Sequence, residues 1–151
     1  MRDRIRPTQE HEASVLDMLK DSGVFATKQK GLMFAAALGY RRSGRALPPD
    51  DDERRYGEGI RIEYFERALD DGFIDALAVA SSGTLEILAD NRQEERVALF
   101  ERYAAIGLEE MERTLVQVPM PPLDATLALL DELSTPENSS LDSLPGLAQL
   151  L

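Results

Sequence analysis

The sequence predicts a mainly α protein: a compact helical domain of about six helices, with a short β-strand at its N-terminal end. Three observations carry that reading. Apolar residues recur at helical spacing in six segments, alternating strand patterns are almost absent, and capping residues or glycines stand where the segments begin and end. At 151 residues and 43% hydrophobic content the chain suits one domain with a sizeable core. Residues 1–133 are expected to form that domain, and 134–151 a C-terminal tail that is flexible or docks on a partner.

The elements follow in order. Arg2, Arg4 and Arg6 share one face of an extended strand, with Asp3 and Ile5 opposite. Thr8 is an N-cap after Pro7, and Val15, Leu16, Met18 and Leu19 give an apolar stripe to a helix over 8–21, stopped by Asp21-Ser22-Gly23. Thr27 caps a second helix over 28–39. Its run Gly31-Leu32-Met33-Phe34-Ala35-Ala36-Ala37-Leu38-Gly39-Tyr40 is nearly apolar all round, so this should be the most buried helix, with Gly39 as its stop. Residues 41–59 are rich in proline, glycine and like charges and are expected to be a loop. Ile60–Leu69 is a short amphipathic helix with Ile62, Phe65 and Leu69 inward, broken by Gly72, and Phe73–Ala80 turns Ile74, Leu77 and Ala78 to one side. Ser81-Ser82-Gly83-Thr84 is a turn, and Leu85–Leu88 an element of open type. Asn91 caps the longest helix, 92–116, with Val97, Phe100, Ala104, Leu108, Met111 and Leu115 inward. Prolines at 119, 121 and 122 end it, and a last helix covers 123–133.

Composition excludes several classes. With no cysteine there is no disulfide, zinc-thiolate site or cysteine nucleophile, which fits a reducing cytosol. The N-terminal charges are not followed by an apolar region, so no secretory signal is expected. The longest apolar run, Leu32–Leu38, falls far short of the roughly 20 residues that span a bilayer. A cytoplasmic protein with no membrane partner is expected.

Catalytic patterns are scarce. His11, the one histidine, stands between Glu10 and Glu12 with no nucleophile or orienting group in a recognisable motif, so it is expected to be a solvent-exposed helix residue. Metalloprotease, phosphate-loop, dinucleotide and nucleophile-elbow motifs are missing. Lys20, Lys28 and Lys30 lie far from the acidic clusters, which argues against a carboxylate-plus-lysine nuclease. Asp50-Asp51-Asp52-Glu53 lacks the glycine and terminal glutamate of a calcium loop, so a solvated loop is expected. Glu109, Glu110 and Glu112 are expected to form a wet helix face. No catalytic residue, metal or cofactor is expected.

Charge distribution is the informative feature. Residues 1–45 hold nine Lys/Arg against five Asp/Glu, while the remaining residues hold eight against twenty-three, within a net charge of −11. A cationic end on an acidic protein points to recognition. Fourteen of the seventeen cations are arginine, which suits bidentate phosphate or carboxylate contacts but also follows from a GC-rich genome. The candidate DNA-binding residues are Arg2, Arg4, Arg6, Thr27, Lys28, Lys30, Arg41, Arg42 and Arg45, with double-stranded DNA as the partner. Strand, helix, turn and helix is the order of a ribbon-helix-helix unit, which pairs strands between two copies and lays the ribbon in the major groove. The N-terminus of the second helix would then approach a phosphate. The plainer alternative is a solvated N-terminal arm anchored only by Ile5.

Asp3-Arg4-Ile5-Arg6, the spacing to Asp21-Ser22-Gly23-Val24-Phe25, and Thr27-Lys28-Gln29 running into Phe34-Ala35-Ala36-Ala37-Leu38-Gly39-Tyr40 form one pattern. Arg61-Ile62-Glu63-Tyr64-Phe65 and Leu99-Phe100-Glu101-Arg102-Tyr103-Ala104, with Gly107-Leu108, extend it. Over about residues 3–115 it resembles the DNA phosphorothioation-associated (Dnd system-associated) protein 4 family. The resemblance implies an accessory role in a bacterial anti-phage defence island where backbone oxygen of DNA is replaced by sulfur and unmodified DNA is restricted. It implies other defence-system proteins as partners and brings no catalytic residues. Alternatives are a ribbon-helix-helix transcriptional regulator, which would be a homo-oligomer, and a non-catalytic or metal-site subunit of a restriction nuclease complex.

Overall fold

Small residues in the middle of the two longest helices set the architecture. In the computed structural model, which describes residues 3–51 and 53–134, α2 (Lys28–Ser43) and α5 (Gln93–Met111) form the most extensive helix–helix interface. Arg2, Asp52 and the tail 135–151 lie outside the described residues. At the crossing, a Cβ on Gly39 would lie 2.0 Å from the Tyr103 carbonyl oxygen, and one on Gly107 would lie 1.7 Å from that of Ala35. Each glycine admits the backbone of the opposing helix. Gly39 therefore does not stop α2, which continues to Ser43 and ends at Gly44, with a φ of 56°. The sequence reading mistook a packing glycine for a terminating one.

The N-terminal strand is real but pairs within the chain. β1 (Arg4–Ile5) runs antiparallel to β2 (Ile60–Arg61), with Arg4 opposite Arg61 and Ile5 opposite Ile60. The Ile62 N–H donates to the Asp3 carbonyl at 2.9 Å, and the Gly57 N–H to that of Pro7 at 2.8 Å. Gly59, at φ 85°, lets the backbones close up, since a Cβ there would sit 2.5 Å from the Ile5 carbonyl oxygen. Ile5 is fully buried and Thr8 nearly so. The segment is not a solvated arm: within the chain its backbone pairs with residues 56–62, and the Arg6 N–H with Glu101.

Helix α1 is built from Gln9–His11, Glu12–Asp17 and Met18–Asp21, continuous segments of which the middle one is a π-helix. It buries Val15, Leu16 and Leu19, as the stripe predicted. Thr27 caps α2 as expected, accepting from the Lys30 N–H. Helix α3 (Ile62–Arg67) buries Ile62 and Phe65 and is shorter than expected. Leu69 takes a left-handed φ of 60° and is 84% exposed, so it faces out, and the break falls there rather than at Gly72. Gly72 lies inside α4 (Asp71–Ser82), which buries Ile74, Leu77 and Ala78.

Two 3₁₀ turns, Leu85–Leu88 and Asp90–Arg92, lead into α5. Asn91 belongs to the second turn and does not cap the helix. The six apolar residues expected to point inward from the long helix are all buried, with Leu115 in the π-helical continuation Glu112–Val116. Helix α6 (Pro122–Ser134) buries Ala125, Thr126 and Leu129. Six helices and the two-stranded ribbon make up the described fold. Among the described residues no helix is long and apolar enough to cross a membrane.

Phe65 and Phe73 stand edge-on to Phe100 at 6.1 and 6.2 Å between ring centroids. The buried Tyr103 hydroxyl donates to the Gly44 carbonyl at 2.6 Å and meets Ser81 Oγ at 2.9 Å, so its polar end is satisfied.

Ala at position 39 or 107 must force the crossing apart, and each substitution should lower unfolding stability by about 2–3 kcal/mol or more. Gly72→Ala, which meets nothing within 4 Å on an exposed helical turn, should instead raise it by roughly 0.5–1 kcal/mol. Urea midpoints at unchanged m-value measure both.

Candidate interaction surface

The cations singled out in the sequence are mostly engaged by the chain's own carboxylates. The Arg6 backbone N–H and Nε donate to Glu101 Oε2 at 2.7 and 3.0 Å, and Nη2 donates to Oε1 at 3.2 Å. The guanidinium also lies 4.7 Å from the centre of the Tyr56 ring. Glu101 is 2% exposed on α5, and its hydrogen bond raises the Arg6 pKa further. Arg4 Nη1 donates to the Gly59 carbonyl at 3.2 Å, with Glu58 at 3.9 Å.

At the start of α2, Lys28 Nζ lies 2.9 Å from Glu12 and 3.3 Å from Asp17. Lys30 Nζ donates to both oxygens of Asp70 at 2.9 Å, and Gln29 Nε2 adds a bond of 2.7 Å to the same carboxylate. The Thr27 hydroxyl is taken up by the Lys30 N–H. At the other end of α2, Arg42 reaches Glu110 at 2.8 Å and Glu132 at 3.1 Å. Arg45 Nε donates to the Ala80 carbonyl at 2.9 Å. Arg41 is exposed and has no side-chain partner among the described residues. Arg2 lies outside them. The candidates therefore do not share one outward cationic face: they flank both ends of α2 and the β1 strand, mostly as halves of ion pairs.

His11 corrects the expectation of a solvent-exposed residue. It is 5% exposed, with Nδ1 2.6 Å from Thr8 Oγ1 and Nε2 3.0 Å from Glu112 Oε2. Glu112 is thereby removed from the expected wet face, as is Glu110 by Arg42, while Glu109 stays exposed. Hydroxyl, imidazole and carboxylate in line is an arrangement that activates nucleophiles. Here Thr8 is buried and absent from the wall of the adjoining cleft, about 650 Å³ bounded by Glu10, His11, Arg55, Glu112 and Arg113 among others. The line therefore ties the N-terminal segment to the π-helical turn that follows α5. Thr8 three residues before His11 was a local clue, but Glu112 is too distant in sequence to announce itself. Among the described residues no group of three or more His, Cys, Asp or Glu could hold a metal ion.

Helix α6 supplies a feature the sequence reading passed over. Leu123, Leu127 and Leu130 are 55%, 56% and 44% exposed. Helical spacing puts them in one row, with the buried Ala125 and Leu129 on the opposite side of the helix and Asp124 and Asp131 along one flank. The signal was present as apolar residues on two sides of one helix.

A family model described as DNA sulphur modification system-associated protein 4 matches residues 4–143, extending well past the 3–115 of the sequence resemblance. No curated protein and no solved structure matches the chain at a significant level.

Glu101→Gln leaves the Arg6 charge without its counter-ion. It should cost about 2 kcal/mol, less than a fully buried pair because Arg6 is partly exposed, measured by urea unfolding. Lys30 holds the Asp70 carboxyl below its ordinary value of 3.8. The folded state thus binds that proton less readily than the unfolded chain, so the pair stabilises fully above the unfolded-state value and is lost as pH falls through the folded one. The stability gap between wild type and Asp70→Asn should accordingly narrow between about pH 5 and pH 2.

Proposed function

The chain belongs to the DNA sulphur modification system-associated protein 4 family, and from that premise we propose that it is a non-catalytic accessory protein of a bacterial DNA phosphorothioation and anti-phage defence system, acting in the cytoplasm by docking a partner protein of that system. The observation that carries this reading is the solvent-facing leucine row of α6. Exposed leucines scattered singly are ordinary, but a row along one helix is a surface that association would bury. Asp124 and Asp131 edge the row within a chain of net charge −11. The matching occupant is an amphipathic segment with apolar anchors flanked by Lys or Arg. A second copy would bring like charges together and is the less favoured occupant.

The internal pairing of Arg6, Lys28, Lys30 and Arg42 supports the same emphasis, since phosphate contact at those side chains would have to displace bound carboxylates. Direct DNA contact is the second reading, favoured by the exposed and unpartnered Arg41. Salt-sensitive retardation of duplex DNA at about 50 mM salt, lost in Arg41→Ala, would establish it in place of the first.

Leu127→Glu with Leu130→Glu should abolish co-purification with the partner when the neighbouring genes of the system are co-expressed, while the thermal midpoint stays within about 2 °C, as for surface changes. Undiminished co-purification with the folded double variant would refute the docking surface. A variant that instead turns from dimer to monomer would reassign the row to self-association.

A further inference from the structure

A second cleft, of about 490 Å³, is bordered by Arg45, Arg92 and Arg102, with Leu47 and Leu99 forming apolar wall and Glu95 the one carboxylate. Elsewhere, Arg6, Arg42, Arg54 and Arg96 are each neutralised by a carboxylate. Here two guanidiniums are positioned by neutral groups instead. Arg45 Nε donates to the Ala80 carbonyl at 2.9 Å, and Arg102 Nη2 donates to the Pro48 carbonyl. A carbonyl fixes the direction of an arginine without cancelling its charge, so both keep N–H groups and full charge for another acceptor. Gly83, which closes α4 with a φ of 76°, leaves room for the Arg45 guanidinium, since a Cβ there would stand 3.3 Å from Nη1. Arg92 is paired with Glu95 at 2.7 Å. The cleft thus carries a net charge of about +2 on a strongly acidic molecule.

We propose that this cleft binds a 5′-phosphorylated nucleoside, the phosphate dianion lying between Arg45 and Arg102 and the base against Leu47 and Leu99. Two uncompensated arginines match a dianion in charge and in their bidentate donor geometry. The volume lies within the roughly 300–1,000 Å³ typical of small-ligand clefts. The same group is presented by a free nucleotide and by the phosphorylated end of a DNA strand. This site is separate from the leucine row of α6, and neither depends on the other.

The test is titration calorimetry of the full chain at low salt with thymidine 5′-monophosphate, thymidine, inorganic phosphate, and a short oligonucleotide with and without a 5′-phosphate. The nucleotide should bind at least tenfold more tightly than either thymidine or inorganic phosphate. Arg45→Ala and Arg102→Ala should each weaken it about tenfold or more, and Glu95→Gln should strengthen it by releasing Arg92. Tighter binding of the phosphorylated oligonucleotide than of the nucleotide assigns the natural source to a DNA end, and the reverse assigns it to a free nucleotide. No binding at millimolar ligand, equal binding of inorganic phosphate, or unchanged affinity in folded Arg102→Ala would overturn the proposal.

Discussion

The approach of α2 to α5 at backbone contact is the constraint on which the rest of the molecule depends. Gly39 and Gly107 face the carbonyls of Tyr103 and Ala35, so the two longest helices meet without intervening side chains. With that separation set, Phe100 comes under Phe65 and Phe73, and the Tyr103 hydroxyl comes within reach of Gly44 and Ser81. The same helix, α5, presents Glu101 to the N-terminal segment and Glu110 to Arg42. A small change in interhelical distance would disturb the core and these ion pairs together, because close-packed interiors transmit strain.

Electrostatics follow from that scaffold. A chain with net charge −11 repels itself when compact. Its N-terminal excess of cations offsets that repulsion by reaching into the acidic remainder: Arg6 to Glu101, Lys30 to Asp70, Arg42 to Glu110 and Glu132. Of these, the Arg6 contact matters most for stability, because Glu101 is almost wholly buried and takes three hydrogen bonds from one residue. The exposed pairs of Arg61 and Arg67 with Glu63 contribute far less.

The sequence made the helices legible, and with them most of the core, because spacing of the kind seen at Val97, Phe100, Ala104 and Leu108 is a local property. Thr27 as a cap and Arg4–Ile5 as a strand were legible for the same reason. Gly39 was misread because a glycine that ends a helix and one that admits a neighbouring backbone look alike in sequence. The partners of Arg6 and His11 were invisible, since Glu101 and Glu112 lie about ninety and a hundred positions away. Leu69 was assigned inward by periodicity, but α3 ends before it and the chain turns left-handed. The cleft of Arg45, Arg92 and Arg102 draws on three separate segments and had no local signature.

The route of the opening residues also governs how the chain is made. Ile5 waits for Ile60, and Arg6 for a glutamate 95 residues downstream. At about 5–20 residues per second on the ribosome, that glutamate follows by roughly 5–20 s. Ile5 and Arg6 therefore find their seats only after much of the chain that follows them has been made, and a nascent chain must carry an unsheltered isoleucine and an uncompensated arginine until α5 has emerged.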